Sequence, residues 1–228
     1  MHLSRILIVA AHPDDDILGC GGTISALAGK AKIRVIFIAE GSSCRFDDHN
    51  SIQSKSVIKE RNLMAINALE LLGVTSYSFY NYPCGRLDQV PLIEINKVIE
   101  KEIKEFKPDT IFTHSNIDSN QDHVKINQAA LIAARPGLSS VKNIYAYEIL
   151  SSTEWGFQDV FKPNLFVPLT ELDVRAKVNA MLCYKSEFKD FPFPRSEKGI
   201  FYLASLRGMQ SGYQFAEAYN VIRSTLYP

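Results

Sequence analysis

A histidine and three consecutive aspartates follow directly on an apolar run near the N-terminal end of the sequence. Residues 6–11 are apolar at every position, which is typical of a parallel strand covered on both faces. His12, Asp14, Asp15 and Asp16 come where that strand must end. Because uncompensated charge at a buried strand end is costly, we expect this cluster to hold a cation or to serve a reaction.

Strand and helix patterns alternate through the first 140 residues. The strand patterns are apolar or aromatic, at residues 6–11, 33–39, 77–80 and 110–113. The helix patterns carry apolar residues at helical spacing, at residues 23–28, 54–72, 92–106 and 122–134. This alternation predicts an α/β protein with a Rossmann-like, three-layer fold and a mostly parallel central sheet. Ligands of such sheets bind at the carboxyl ends of the strands, where two polar clusters lie, at residues 12–16 and 118–123.

The pattern changes after residue 140. Residues 144–148 and 166–168 are predicted strands, and residues 171–184, 200–207 and 215–226 are predicted helices. The length of 228 residues suits one α/β domain. We therefore expect a single domain over residues 1–228, with a core of about residues 1–140 and a smaller C-terminal lobe of about residues 141–228.

Composition excludes several classes of protein. The 25 Lys and Arg residues balance 25 Asp and Glu residues, so no basic surplus indicates a nucleic-acid partner. The four cysteines form no CxxC pair, which argues against a structural zinc site and favours reduced thiols. No signal-peptide pattern and no apolar run of about 18 residues is present. We expect a cytoplasmic protein without a membrane span, and a homo-oligomer is compatible with the sequence.

The spacing of the charged residues is typical of a metal site. His12 and Asp15 lie three residues apart, so they can face one side at the first turn of a helix. An imidazole and a carboxylate are two of the three protein ligands of many catalytic zinc sites, and His123 is the best third ligand. Asp14, beside a ligand, can take a proton from water. The alternative at this point is that the aspartates only cap a helix.

Two short motifs carry a family resemblance. The sequence AHPDDD at residues 11–16, followed by LGCGGT at residues 18–23, resembles the LmbE-like, or PIG-L-type, zinc-dependent N-acetylglucosaminyl deacetylases. The first motif of that family runs A-H-P-D-D-E, so Asp16 replaces a glutamate. Its second motif is H-P-D-H, and residues 120–123 read NQDH. The resemblance covers at least residues 1–135.

The resemblance implies an activity and a ligand set. It implies one zinc ion per chain, held by His12, Asp15 and His123, and Asp14 as the general base. The enzyme would be a metal-dependent amidohydrolase that removes the N-acetyl group from an N-acetylglucosamine-type sugar or sugar conjugate, its small-molecule partner. The sequence does not distinguish a free sugar from a nucleotide-linked, lipid-linked or thiol-conjugated one.

The departures from the family motifs concern the second cluster. In many relatives the first histidine of H-P-D-H helps to hold the oxyanion, and Asn120 stands there in this chain. Either Asn120 serves as a neutral donor, or His114 takes that role, or the activity is lower. Asp122 is expected to orient a neighbouring group. Arg61 lies where relatives often keep an arginine near the substrate, and Arg45 is a further candidate for substrate binding.

Two other functions remain open from the sequence. A metal-dependent phosphoesterase is the nearest enzymatic alternative, because aspartates and an Asp-His pair resemble parts of two-metal sites. Such a site needs further bridging carboxylates and usually a following histidine, whereas Val124 stands there. A non-catalytic sugar-binding relative is the other alternative. Metal stoichiometry and acetate release would separate the three.

Overall fold

A computed structural model describes residues 3–225 of the chain. Its seven strands are β1 (Arg5–Ala10), β2 (Lys32–Ala39), β3 (Tyr77–Tyr82), β4 (Thr110–His114), β5 (Asn143–Tyr147), β6 (Leu165–Leu169) and β7 (Phe215–Arg223). Its α-helices are α1 (Asp15–Ala26), α2 (Ile52–Leu71), α3 (Leu92–Phe106), α4 (Gln121–Ala133), α5 (Glu171–Met181) and α6 (Glu197–Ser211). Among the described residues, no helix is both long and apolar enough to cross a membrane.

All seven strands belong to one sheet in the order β3-β2-β1-β4-β5-β7-β6. Strands β1 to β5 pair in parallel, and Ile8 of β1 lies opposite Val35 of β2 on one side and Phe112 of β4 on the other. Strand β7 runs antiparallel to both of its neighbours. The strand order changes direction between β1 and β4, and ligands of open α/β sheets bind at such a point.

Helices cover both faces of the sheet. Alternate residues of β1, such as Ile8, pack on one face with α1, α2, α5 and α6. The intervening residues, such as Val9, pack on the other face with α3 and α4. Burial on both faces explains why residues 6–11 are apolar at every position. The predicted three-layer α/β fold with a mostly parallel sheet is confirmed.

The C-terminal part of the chain joins this sheet and its core. Strands β5, β7 and β6 extend the sheet beyond β4. Helices α5 and α6 pack in the same hydrophobic cluster as β1 and α1. The segment expected to be a smaller lobe therefore shares its sheet and one of its two cores with the N-terminal part.

The predicted helix over residues 215–226 is wrong, because residues 215–223 form β7. Side chains of Phe215, Tyr219 and Val221 join the core on one face, while Ala216 and Ala218 alternate with them. This alternation has the period of a strand, and pairing with β5 and β6 overrides the helical preference of alanine and glutamate. The last residue of that prediction, at position 226, lies outside the described residues.

Helix α1 begins at Asp15, eight residues before the predicted start at residue 23. Glycines at 19, 21 and 22 lower the intrinsic helix propensity of this stretch, which hid its true start. The packing of α1 on β5 requires one of them. A Cβ atom on Gly19 would lie 2.5 Å from the Tyr147 ring.

A Lys177–Glu217 ion pair from the C-terminal part of the chain bonds to backbone groups in the middle of α1. Lys177 Nζ donates to the Leu18 carbonyl at 2.7 Å and to Glu217 Oε1 at 2.6 Å. Glu217 in turn accepts the backbone N–H groups of Gly22 at 2.9 Å and Thr23 at 2.7 Å. Helix α5 and strand β7 thus hold the helix that begins with the aspartate cluster.

Candidate active site

The fold brings the two polar clusters together at one edge of the sheet. His12 and Asp14 lie in the loop between β1 and α1, and Asp15 is the first residue of α1. Strand β4 ends at His114, and His123 lies in the first turn of α4. Because β1 and β4 are parallel neighbours, their carboxyl ends lie side by side.

His12, Asp15 and His123 form a buried group that could hold a metal ion. Their ligand atoms all lie within 4.8 Å of one another. His12 Nδ1 and His123 Nε2 each lie 3.3 Å from Asp15 Oδ2. His123 Nε2 is buried and makes no hydrogen bond. Two imidazoles and a carboxylate that converge in this way fit a divalent cation such as zinc.

Each of the two histidines uses its other ring nitrogen to contact a second carboxylate. His12 Nε2 lies 2.9 Å from Asp122 Oδ2, and His123 Nδ1 lies 3.1 Å from Asp118 Oδ1. This arrangement of metal-facing nitrogen, ring and carboxylate is common around protein-bound metals, where it fixes the ring and its tautomer. Asp122 thus lies beside His12, a residue whose ring it contacts directly.

Electrostatics favour a positive charge in this group. Burial lowers the pKa of His12, but Asp122 and Asp15 outweigh it and raise that pKa to about 10. Burial also lowers the pKa of His123, while Asp15 and Asp118 raise it to about 9. A metal ion that enters the group therefore displaces protons, and its affinity falls as the pH falls.

Asp14 lies at the cleft in an unusual backbone conformation. It precedes the first residue of α1 with φ of 112°, a left-handed conformation that costs a residue other than glycine about 1–3 kcal/mol. Its buried Oδ2 accepts hydrogen bonds from Arg61 Nη2 at 3.0 Å and Arg195 Nη1 at 2.7 Å. Burial raises the pKa of Asp14, and the two guanidinium groups oppose that rise.

The cleft beside the metal group has a volume of about 280 Å³. His12, Asp14, Asp15 and His123 line its floor. Its walls combine charged and aromatic side chains, namely Arg45, Arg61, Glu187, Lys189, Arg195, Trp155 and Phe193. Such a mixture of polar groups and aromatic faces suits a ligand with hydroxyl groups and an apolar ring face.

Glu187 contacts three arginines of the cleft. Its Oε1 accepts hydrogen bonds from Arg45 at 2.7 Å and from Arg61 at 2.5 Å, and its Oε2 lies 3.5 Å from Arg195. Burial raises the pKa of Glu187, but the arginines outweigh it and lower the pKa from 4.5 to about 2. The Arg61 side chain is buried, whereas that of Arg45 is 47% exposed. Both predicted substrate-binding arginines therefore line the cleft.

The two candidates for the oxyanion role lie in different places. Asn120 lines the cleft and caps α4, where its Oδ1 accepts the Asp122 N–H at 2.9 Å. His114 is fully buried, and its Nε2 accepts the Ala11 N–H at 2.8 Å. Its ring stacks on that of His123 at 3.9 Å between centroids. His114 thus lies behind the metal group and is not among the described residues that line the cleft.

Two residues of the site, Asp118 and Glu187, were not predicted from the sequence. Asp118 bounded the second polar cluster but was given no role, although its position four residues after His114 was a signal. Glu187 follows the predicted helix over residues 171–184 in a segment without any motif, so nothing in the sequence marked it. Its place in the site is visible only in the fold, where Arg45 and Arg61 donate hydrogen bonds to it.

Comparisons with known proteins place the chain in a family. A match to the PIG-L family, described as GlcNAc-PI de-N-acetylase, spans residues 7–134. The chain is 28% identical over 187 residues to the uncharacterized deacetylase YaiS of Escherichia coli K12, an alignment that covers 79% of this chain and 90% of YaiS.

Solved structures with the same fold include enzymes of different activity. The N,N'-diacetylchitobiose deacetylase of Pyrococcus horikoshii superimposes with a TM-score of 0.78 at 21% identity, over 97% of this chain and 84% of that one. The 4-carboxy-2-hydroxymuconate hydratase of Pseudomonas putida KT2440 superimposes with a TM-score of 0.76 at 20% identity, over 99% of both chains. Because the family match spans more than half of the chain and includes both polar clusters, this protein belongs to the GlcNAc-PI de-N-acetylase (PIG-L) family.

Proposed function

We propose that the protein hydrolyses the N-acetyl amide of an N-acetylglucosamine-type sugar or sugar conjugate, with one zinc ion held by His12, Asp15 and His123. The observation that carries this proposal is the convergence of these three donors beside Asp14 in one cleft. Family membership supports it, as do the names of the E. coli relative and of the P. horikoshii neighbour.

Asp14 is the proton-transfer group in this proposal. A zinc ion bound to the three donors would polarise the amide carbonyl and lower the pKa of water. Asp14 takes the proton of the attacking water and returns it to the departing amine. Arg61 and Arg195 both contact Oδ2 of Asp14, so they fix the carboxylate and leave Oδ1 for the proton.

Asn120 is the proposed neutral donor to the developing oxyanion. Its carbonyl oxygen is taken up by the Asp122 N–H, so the amide NH2 group is the part that can donate. His114 is proposed as a positioning residue instead, because it does not line the cleft but stacks on His123 and lies with Nε2 3.5 Å from Asp15 Oδ2. Arg45, more exposed than Arg61, is the proposed contact to polar groups of the sugar or its conjugate.

Acetate release from a panel of N-acetyl sugars tests the activity. The panel holds free, nucleotide-linked, lipid-linked and thiol-conjugated N-acetylglucosamine, with zinc and with a chelator. We expect zinc-dependent acetate release from at least one of them, and a loss of about 10²–10⁴-fold in kcat for Asp14→Asn with zinc still bound. Asp88→Asn, which changes an exposed aspartate in the loop before α3, is the matched control with unchanged activity.

The alternatives predict other results from the same panel. A zinc-loaded protein that binds an N-acetyl sugar without releasing acetate would be a sugar-binding protein. Phosphate release with two manganese ions per chain would identify a phosphoesterase. Either result would refute the proposed deacetylase.

A further inference from the structure

Two cysteines that lie far apart in sequence meet at the edge of the cleft. Cys44 lies in a short 3-10 turn, Ser43–Arg45, after β2, and Cys84 lies in the loop after β3. Their Sγ atoms are 3.2 Å apart although 40 residues separate them. Cys44 is exposed and Cys84 is buried, and both line the cleft. The two cysteines are scattered in the sequence, and only the fold brings them together.

Backbone contacts hold the two loops in this position. Glu40 Oε2 accepts the N–H groups of Ser42 at 2.6 Å and Ser43 at 2.9 Å, while its Oε1 accepts the N–H of Cys84 at 2.8 Å. One buried carboxylate therefore ties together the backbone on which both cysteines sit. The backbone thus holds the two cysteines beside each other, and the 3.2 Å between their Sγ atoms depends in addition only on the χ1 rotamer of each.

Gly85 makes this approach feasible. It has φ of +70°, and a Cβ atom on it would lie only 3.3 Å from Cys44 Cβ. Any other residue at position 85 would be strained by this φ, and its Cβ atom would require the 3-10 turn to shift by a few tenths of an ångström. The turn and the loop after β3 therefore pack closely enough for their thiols to react with each other.

We propose that Cys44 and Cys84 are a reversible dithiol–disulfide pair that is oxidised by peroxides. The exposed Cys44 sulfur attacks one peroxide oxygen, the O–O bond breaks, and the other oxygen leaves as water, so that Cys44 becomes a sulfenic acid. The Cys84 sulfur then attacks that sulfur, the S–S bond forms, and the hydroxyl leaves as a second water. The two thiols lose two electrons and two protons, and hydrogen peroxide takes up both. A small dithiol reduces the disulfide to the two thiols by thiol–disulfide exchange and is itself oxidised to a disulfide.

The pair adjoins the residues that support the proposed metal ligand His12. The N–H of Gly85 donates to Asp122 Oδ2 at 2.6 Å, and the same oxygen contacts His12 Nε2. A disulfide would bring the two sulfurs about 1 Å closer, from 3.2 Å to about 2.05 Å. It would link two loops of one cleft wall without removing any proposed ligand. The proposal does not depend on which reaction the cleft catalyses.

Peptide mapping of the oxidised full-length protein tests the proposal. The protein as purified is treated with a small molar excess of hydrogen peroxide, alkylated, and digested without reduction. We expect the loss of two of the four thiols, a peptide pair linked through Cys44 and Cys84, and full recovery of the thiols with dithiothreitol. The Cys183→Ser variant should give the same linked pair, because that cysteine lies outside the cleft.

The single variants identify the partners. Cys44→Ser and Cys84→Ser should each abolish the linked pair in folded protein, with folding checked by circular dichroism. The proposal is wrong if wild-type protein yields sulfinic acids or free thiols at these two positions without the link. It is equally wrong if the only links formed involve Cys20 or Cys183.

Discussion

At the scale of single residues, His12 and His123 divide their ring nitrogens between the metal group and a carboxylate. Asp122 contacts the first ring and Asp118 the second, so each ring has one orientation and one tautomer available for a metal. Asp122 is held in turn by the backbone of the loop after β3, through Gly85. The two aspartates therefore act on the metal group without belonging to it.

We expect Asp122→Asn and Asp118→Asn each to weaken zinc binding by about 10–100-fold, because the ring would lose its fixed tautomer. Zinc affinity is measured by competition with a chromophoric chelator at constant pH. Asp88→Asn, which changes an exposed side chain, is the control and should bind zinc as the wild type does. Equal affinity in all four proteins would show that the carboxylates do not position the rings.

Glu187 should make stability depend on pH in the acid range. Its pKa falls from 4.5 to about 2 on folding, so the unfolded chain binds the proton more readily. The resulting stabilisation, up to about 3 kcal/mol, is complete above about pH 4.5 and is lost as the pH falls toward 2. Glu187→Gln should lack it, so urea unfolding of the two proteins should differ most near pH 6 and converge as the pH is lowered.

The comparison uses metal-free protein, so that proton release from the metal group is the same in both chains. A constant difference in the free energy of unfolding between about pH 6 and pH 3 would contradict the assignment of this titration to Glu187. The substitution changes the packing contribution to the free energy of unfolding only slightly, because glutamine has nearly the same shape as glutamate.

The proximity of His12, Asp15 and His123 could be predicted from the sequence, because each follows a buried strand and parallel strands end at one edge. The same argument could not predict that Glu187 belongs to the site. Glu187 lies in the segment that follows α5, and its contact with Arg61 depends on where the fold places that segment relative to α2. Nor could it separate Asn120 from His114, since only side-chain packing decides which of them reaches the cleft.

At the scale of elements, α1 depends on an ion pair that belongs to two distant elements. Lys177 of α5 and Glu217 of β7 are both buried and bond to backbone groups of α1. Loss of one partner would leave the other charge buried without compensation, which is among the more costly changes in a protein.

We expect Lys177→Met to lower the free energy of unfolding by about 3–5 kcal/mol. Arg175→Met on the same helix is the control, because Arg175 and its partner Glu171 are about half exposed. That control should cost less than about 1 kcal/mol. Urea denaturation followed by circular dichroism measures both. Similar costs for the two variants would mean that the buried pair contributes no more than an exposed one.

Elements with a regular pattern were predictable and those set by pairing were not. Helix α3 has the predicted bounds, residues 92–106, because its apolar residues recur at helical spacing over its whole length. Strand β7 was predicted as a helix, since its alternation is masked by alanines and a glutamate that favour helices. Its position between β5 and β6 is a property of the sheet and leaves no local mark in the sequence.

At the scale of the whole molecule, the metal group joins residues of α1 and α4 to the loop after β1. Metal binding should therefore stabilise the folded chain. At a free zinc concentration of about 100 times Kd we expect a gain of about 2.7 kcal/mol, or about 5–10 °C in Tm for a chain of this size. Differential scanning fluorimetry with zinc and with a chelator measures this shift.

Asp15→Asn should remove most of that shift, whatever its effect on the Tm of the metal-free protein. The control Asp88→Asn should keep it. A shift of the same size in Asp15→Asn would mean that zinc stabilises the protein from some other site.

The place of β7 also determines the order in which the molecule can fold. Strand β6 pairs with β7 alone in the described part of the chain, yet it is synthesised earlier. Strand β5 likewise presents an open edge until β7 arrives, and pairing over such sequence distances is slow. Glu217 reaches α1 only in that same step. The Glu217 contacts with the helix that carries Asp15 therefore form only after α5 and α6 have been synthesised, when β7 enters the sheet.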